Sequence, residues 1–134
     1  ISGPLLDRID IHVEVNPVSF DEMTANRKTE GSELIRERVV AARKLQTERF
    51  KGQNIYCNAM MPPKMVKEVC QISSAGKTLL KTAMERLGLS SRAYDRILKV
   101  SRTIADLNHS EKIAVEHLAE AIQYRSLDRE GWNG

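Results

Sequence analysis

Two arginines in this chain have neighbours that suit them to anion chemistry. Arg8 lies in LLDRID (5–10), between Asp7 and Asp10 and just ahead of an alternating apolar stretch, so carboxylates could hold its guanidinium and aim it outward. A planar, permanently charged fork suits the oxygens of a nucleotide's terminal phosphate. The plainer alternative is a surface ion pair, worth at most about 1 kcal/mol. Arg92 follows Ser90 and Ser91 in the first turn of an expected helix. The macrodipole there disfavours a cation by roughly 0.3–1 kcal/mol and favours an anion. Free N–H groups and an Arg at a helix start combine to bind phosphate; a tolerated surface Arg is the alternative. Arg96 and Lys99 continue the positive stripe along the same helix.

Other reactive types do not assemble. GKT at 76–78 looks like the end of a phosphate-binding P-loop, but that loop needs a Gly five residues before Gly76 and Gln71 stands there. Gly76 reads better as a first-turn residue of a Ser-capped helix. His12, His109 and His117 fall on an expected strand, a turn and a helix, with no nucleophile or ligand spacing, and read as structural or solvated. Cys57 and Cys70 have no His or Cys pair beside them, which argues against zinc; free buried thiols are preferred over a disulfide. Met60, Met61, Met65 and Met84 read as core filler.

The elements that must hold these residues are mostly helical. Ile9, Ile11, Val13 and Val15 alternate with Asp10, His12 and Glu14, which predicts one half-buried strand after a Gly-Pro turn. A single strand needs partners, and no comparable strand follows. Together with the absence of an initiator Met, this suggests a fragment whose partner sheet has been cut away, leaving the strand frayed or folded back on the helices. Residues 16–31 read as a linker.

Ser32 then caps a helix over about 33–50, with Ile35, Val39, Ala42 and Leu45 inward and Arg36, Arg38, Arg43, Lys44 and Arg49 outward; Gly52 ends it. Residues 53–61 are irregular. Pro62-Pro63 opens a short helix with Met65, Val66, Val69 and Cys70 inward. Ser73 or Ser74 caps the next, which buries Leu79, Leu80, Ala83, Met84 and Leu87 and stops at Gly88. Ser90 caps a fourth, with Ile97, Val100, Ile104 and Leu107 as its apolar stripe, and the NHS turn at 108–110 ends it. A last helix over about 114–126 packs through Val115, Leu118, Ala119 and Ile122, and residues 126–134 fray. The sum is a bundle of four or five helices.

Composition sets the outer bounds. The 134 residues suit one domain, or a small domain plus part of another. Aromatics at 4% leave the core to Leu, Ile, Val, Met and Ala. No run approaches the roughly 18 apolar residues of a membrane span, and no signal peptide is present, which suits a cytoplasmic protein. The net charge of +3 is uneven: residues 32–110 hold fifteen basic groups against seven acidic ones. A positive middle suits an anionic partner such as nucleotide, nucleic acid or an acidic protein face; a solvated helical surface is the alternative.

SGPLLDRID at 2–10, ARKLQ at 42–46, NA at 58–59 and LSSRAYDRILKVSRTIADL at 89–107 together resemble the magnesium-chelatase-like AAA+ ATPases, and EHLAEAIQYR at 116–125 fits their competence-associated branch. Ser101, where that branch often has Ala, is a mild departure. The resemblance implies a mainly α fold: a helical lid bundle preceded by one residual strand of a truncated α/β core. It divides the chain into residues 1–28, the end of the nucleotide-binding core and linker, and 29–134, the C-terminal lid.

By the same resemblance, Arg8 is an arginine finger acting on a neighbouring subunit's ATP, Arg92 is the sensor-2 residue at the γ-phosphate, and Arg96 joins it in ATP binding. The P-loop, the acidic Mg²⁺-binding strand and the first sensor lie N-terminal to Ile1 in this family. ATP and Mg²⁺ would thus belong to the full-length protein, none bound to the fragment, which alone should not hydrolyse ATP. The implied partners are identical subunits in a ring, expected to be a hexamer, with DNA as a possible substrate; the fragment is expected to be monomeric. A chelatase-type subunit driving Mg insertion into a porphyrin is one alternative. A free-standing basic helical module binding nucleic acid is another.

Overall fold

Most helices in this chain start where a side chain or a proline can replace a missing backbone partner. The computed structural model describes residues 3–25 and 29–125, and the expected fraying of 126–134 lies outside them. Among the described residues the order is α1 (Gly3–Asp7), α2 (Phe20–Thr24), α3 (Ser32–Arg49), a 3₁₀ turn (Asn58–Met60), α4 (Pro63–Val69), α5 (Ser74–Leu87), α6 (Ser91–Leu107) and α7 (Val115–Gln123). The fold is mainly α, as expected.

The Ser73 hydroxyl accepts from the Gly76 amide at 3.1 Å, and Ser90 accepts from Ala93 at 3.3 Å, so both serines cap as expected. Pro63 opens α4 at a position needing no N–H. Gly88 ends α5 at φ 59, in the left-handed region that suits glycine, while Leu89 returns a bond to the Met84 carbonyl at 3.1 Å. α3 differs: Gly31 holds the cap position without a side-chain bond, and Ser32 is already helical.

Three features of the N-terminal part depart from expectation. Residues 3–7 form a helical turn instead of a Gly-Pro bend. The stretch 16–31 contains α2, closed by a capping box in which Ser19 and Glu22 exchange bonds at 3.2 Å. The strand expected over 9–15 is not formed. No described segment offers it a ladder, and the one isolated bridge among described residues joins Ile72 to Ile113. The segment instead folds back on the bundle as an arm, with the His12 amide donating to the Tyr124 carbonyl at 2.7 Å.

The core lies between α4, α5, α6 and α7, built on Met61, Val66, Leu80, Ile97, Leu118 and their neighbours. Gly76 sits where α5 meets α7: a Cβ there would fall 2.8 Å from Leu118 Cδ1. The GKT residues are therefore part of a packed helix, not a phosphate loop.

Several inward faces differ from expectation. On α6, Ile97 is buried, and the helix also turns Leu98, Ser101, Arg102, Ala105 and Asp106 to the interior. Val100 and Ile104 are half-buried and pack against the edge of the core as expected, and with Leu107 they also line an apolar groove of about 390 Å³, whose far side is Ile11 and Val13 of the arm. On α7 the buried residues are His117, Leu118 and Ala121, whereas Val115 and Ala119 are exposed. Ile35, Val39 and Leu45 of α3 are exposed, because only its C-terminal half, through Ala42 and Gln46, is buried. Met60 is exposed too, while Met61 is buried.

A polar node fixes α3 to α6. The Asp106 carboxylate, 1% exposed, accepts from Arg49 Nη1 and Nη2 at 2.9 and 2.7 Å, Asn58 Nδ2 at 2.9 Å and Arg102 Nε at 3.2 Å. Gln46 accepts the Asn58 amide at 2.9 Å, and Arg102 donates to the carbonyls of Ser110 and Glu111 at 2.6 and 2.9 Å. Burial opposes ionisation of Asp106, but hydrogen bonds from Arg49 and Asn58 and the charges of Arg49 and Arg102 outweigh it, holding its carboxyl below the usual range.

Removing the charge from Asp106 leaves Arg102 buried without its counterion. Asp106→Asn should cost about 3–5 kcal/mol in urea unfolding at neutral pH. The folded carboxyl titrates below its unfolded value, so its contribution is complete above the unfolded pKa and is lost as pH falls through the folded one. The wild type should therefore lose stability below about pH 4 more steeply than Asp106→Asn, as followed by melting temperature against pH.

Candidate functional site

Arg8 stands on a loop tied at both ends. α1 closes with the Arg8 and Ile9 amides donating to the carbonyls of Leu5 and Leu6, each at 3.1 Å, and Leu6 is buried. Six residues on, the His12 ring nitrogen Nε2 lies 3.2 Å from the same Leu6 carbonyl. Between these points Arg125 donates to the Ile9 carbonyl, and Asp10 pairs with Arg96. Arg8 is exposed on this loop, and no described residue bonds its guanidinium. Asp10, expected beside Arg8, is engaged by Arg96; the Asp7 side chain lies outside the described residues.

α6 brings the remaining site residues into one line. Its N-terminus is capped by Ser90, and Arg92 is exposed in its first turn, with no partner among the described residues. One turn on, Arg96 is committed to Asp10. Lys99 donates to the Ala59 carbonyl at 3.1 Å. The basic stripe read along this helix thus separates into a free Arg92, an ion-paired Arg96 and a lysine spent on a loop carbonyl.

The other reactive residues serve the fold. His117 Nδ1 accepts from the Ala114 amide at 2.9 Å, capping α7. His109 occupies the left-handed turn after α6, at φ 54. Cys57 and Cys70 are free, and burial pushes the Cys70 thiol up to about 11. Ser101 is buried and bonds the Ile97 carbonyl at 2.7 Å, so a hydroxyl is accommodated on the packed face of α6. The residues missed by sequence reading are Asn58, Gln46, Arg102 and Asp106. They stand in the blocks that carried the resemblance, but Asn58 falls in an irregular stretch and Arg102 and Asp106 lie off the apolar stripe of α6, so apolar periodicity carries no signal for them.

The bundle, with Arg8 and Arg92 at its surface, corresponds to a known class. The profile for "Magnesium chelatase, subunit ChlI C-terminal" matches residues 29–125, and the chain belongs to that family. It is 43% identical over 131 residues to the competence protein ComM of Haemophilus influenzae, covering 96% of this chain and 25% of that protein, a C-terminal portion of it. An uncharacterized protein of Escherichia coli, YifB, is 39% identical over the same share of both chains. The chain therefore spans about a quarter of the length of these curated relatives. No described helix is long and apolar enough to cross a membrane.

An exposed cation in a first helical turn contributes nothing to the bundle and opposes the dipole. Arg92→Ala should leave the melting temperature of the isolated chain unchanged or raise its stability by roughly 0.3–1 kcal/mol. A clear drop on thermal denaturation would make Arg92 a structural residue.

Proposed function

We propose that this chain is the lid and arginine-finger portion of a longer AAA+ ATPase, working in a ring of identical subunits that couples ATP hydrolysis to remodelling of DNA or another macromolecule. The observation that carries this reading is where two of its exposed arginines stand. Arg36, Arg43 and Arg86 are exposed along helices, but Arg92 occupies the first turn of α6 and Arg8 a loop next to the bundle, each with no partner among the described residues. Arg8 stands on a loop with both ends tied, which suits a group that must reach outward without drifting.

The division of labour follows from the chemistry of phosphoryl transfer, in which the nucleotide and Mg²⁺ of the full-length protein would supply the reacting group. Arg8, presented to the next subunit, would neutralise charge that develops only in the transition state. Arg92, with the amides of the α6 N-terminus behind it, would favour a terminal phosphate in the ground state. The chain's own GKT is helical, so the phosphate cradle of such an enzyme would lie elsewhere in its sequence. Membership of a chelatase-named family and likeness to a competence protein favour this reading over a free-standing nucleic-acid module.

In the full-length protein, Arg8→Ala should abolish hydrolysis, a loss of roughly 10³–10⁵, while sparing nucleotide binding. Mixed rings with subunits lacking the phosphate-binding Lys should recover partial activity, because the finger acts in trans; normal hydrolysis by Arg8→Ala alone would contradict the reading. Arg92→Ala should weaken ATP about 10–150-fold and leave ADP unaffected, as expected for one charge-assisted bond to an anion. Equal weakening of both nucleotides in equilibrium binding would contradict its sensor role.

A further inference from the structure

We infer that Asp10 is a positioning residue for Arg8: by pairing with Arg96 it clasps the finger-bearing loop to the helix that carries Arg92, so that the two arginines are presented as one unit. The inference rests on the finger reading of Arg8 and extends it to two residues, Asp10 and Arg96.

The clasp is visible in the order of contacts. Leu6 anchors the loop at its start by burial, and the His12 ring meets the Leu6 carbonyl at its end. Between them, Asp10 reaches across 86 positions of sequence to Arg96, one turn beyond Arg92 on α6. The Ile9 carbonyl is taken by Arg125 and the His12 amide by the Tyr124 carbonyl, both just past α7. Arg125 and Tyr124 therefore locate the arm along the end of α7, while Asp10 supplies an ion pair to α6. Asp10 lies two residues after Arg8 and Arg96 four after Arg92, so the pair joins the segments that carry these two arginines.

The pair stands at the surface, with side chains 46% and 33% exposed, so water screens it. Its loss should not unfold the bundle, which rests on the apolar core and the Asp106 node. What it should alter is the fraction of time Arg8 is held in its productive position, and a screened pair can shift such a balance by about two- to fivefold. A group acting only on a transition state registers that shift in kcat and not in binding.

The test uses the full-length ring. Asp10→Ala should lower kcat about two- to fivefold, with the KM for ATP, ADP affinity and melting temperature unchanged. Arg96→Ala should lower kcat by the same factor without weakening ATP, and the charge-reversed pair Asp10→Arg with Arg96→Asp should recover the loss. If Arg8→Ala abolishes hydrolysis but Asp10→Ala leaves kcat intact, the clasp is wrong and the finger stands. A kcat loss that charge reversal fails to restore and that follows a fall in melting temperature would also overturn the clasp. If Arg96→Ala weakens ATP while Asp10→Ala leaves kcat unchanged, Arg96 is a phosphate ligand instead. Normal hydrolysis by Arg8→Ala would remove the finger reading itself, an outcome distinct from the others.

Discussion

The fold depends on a carboxylate buried among cations. Asp106 accepts bonds from Arg49, Asn58 and Arg102, and through them α3, the 3₁₀ turn, α6 and the turn into α7 are held to a common centre. Burying a carboxylate is costly unless every lone pair is used. Here the carboxylate is surrounded by donors and remains ionised. An apolar residue in its place could pack, but it would not specify which helix face meets which. The sparse aromatic content makes this geometric role more important, because small aliphatic side chains pack tolerantly.

The same node accounts for where sequence reading succeeded and where it did not. The local signals were legible: Ser73, Ser90, Pro63 and Gly88 bound α4, α5 and α6 as their chemistry requires. Faces were less legible, because apolar periodicity assumes that the interior wants apolar atoms. On α6 the interior also takes Arg102 and Asp106, so the buried face extends beyond the apolar stripe, with Val100 and Ile104 half-buried at the core's edge and lining, with Leu107, the groove under the arm. On α3 the pattern of Ile35, Val39 and Leu45 was correct for a helix and silent about how much of it the bundle would cover. The strand at 9–15 failed for another reason: alternation describes a sheet position, and a sheet needs a second strand. Among the described residues no second strand lies beside it, and the segment pairs its backbone with Tyr124 and Arg125.

The candidate site was legible by a different route. Arg8 and Arg92 drew notice as charges set against their surroundings, and both are exposed without partners among the described residues. Arg96 read the same way in sequence and differs in space, since only the fold brings Asp10 to it. In this family of magnesium-chelatase C-terminal chains, the bundle works in our account as a frame. Its interior spends Arg49, Arg102 and Arg125 on stability, and its surface presents Arg8 and Arg92 where, in our account, they are available for work on a nucleotide.

The measurement that bears most directly on this account is the position of Arg8 in an assembled ring of the full-length protein, determined structurally with a non-hydrolysable ATP analogue bound. The account predicts the Arg8 guanidinium within hydrogen-bond reach, about 2.7–3.2 Å, of the γ-phosphate held by the neighbouring subunit. An Arg8 turned to bulk solvent, or bonded within its own subunit while the nucleotide is fully coordinated by other residues, would contradict it.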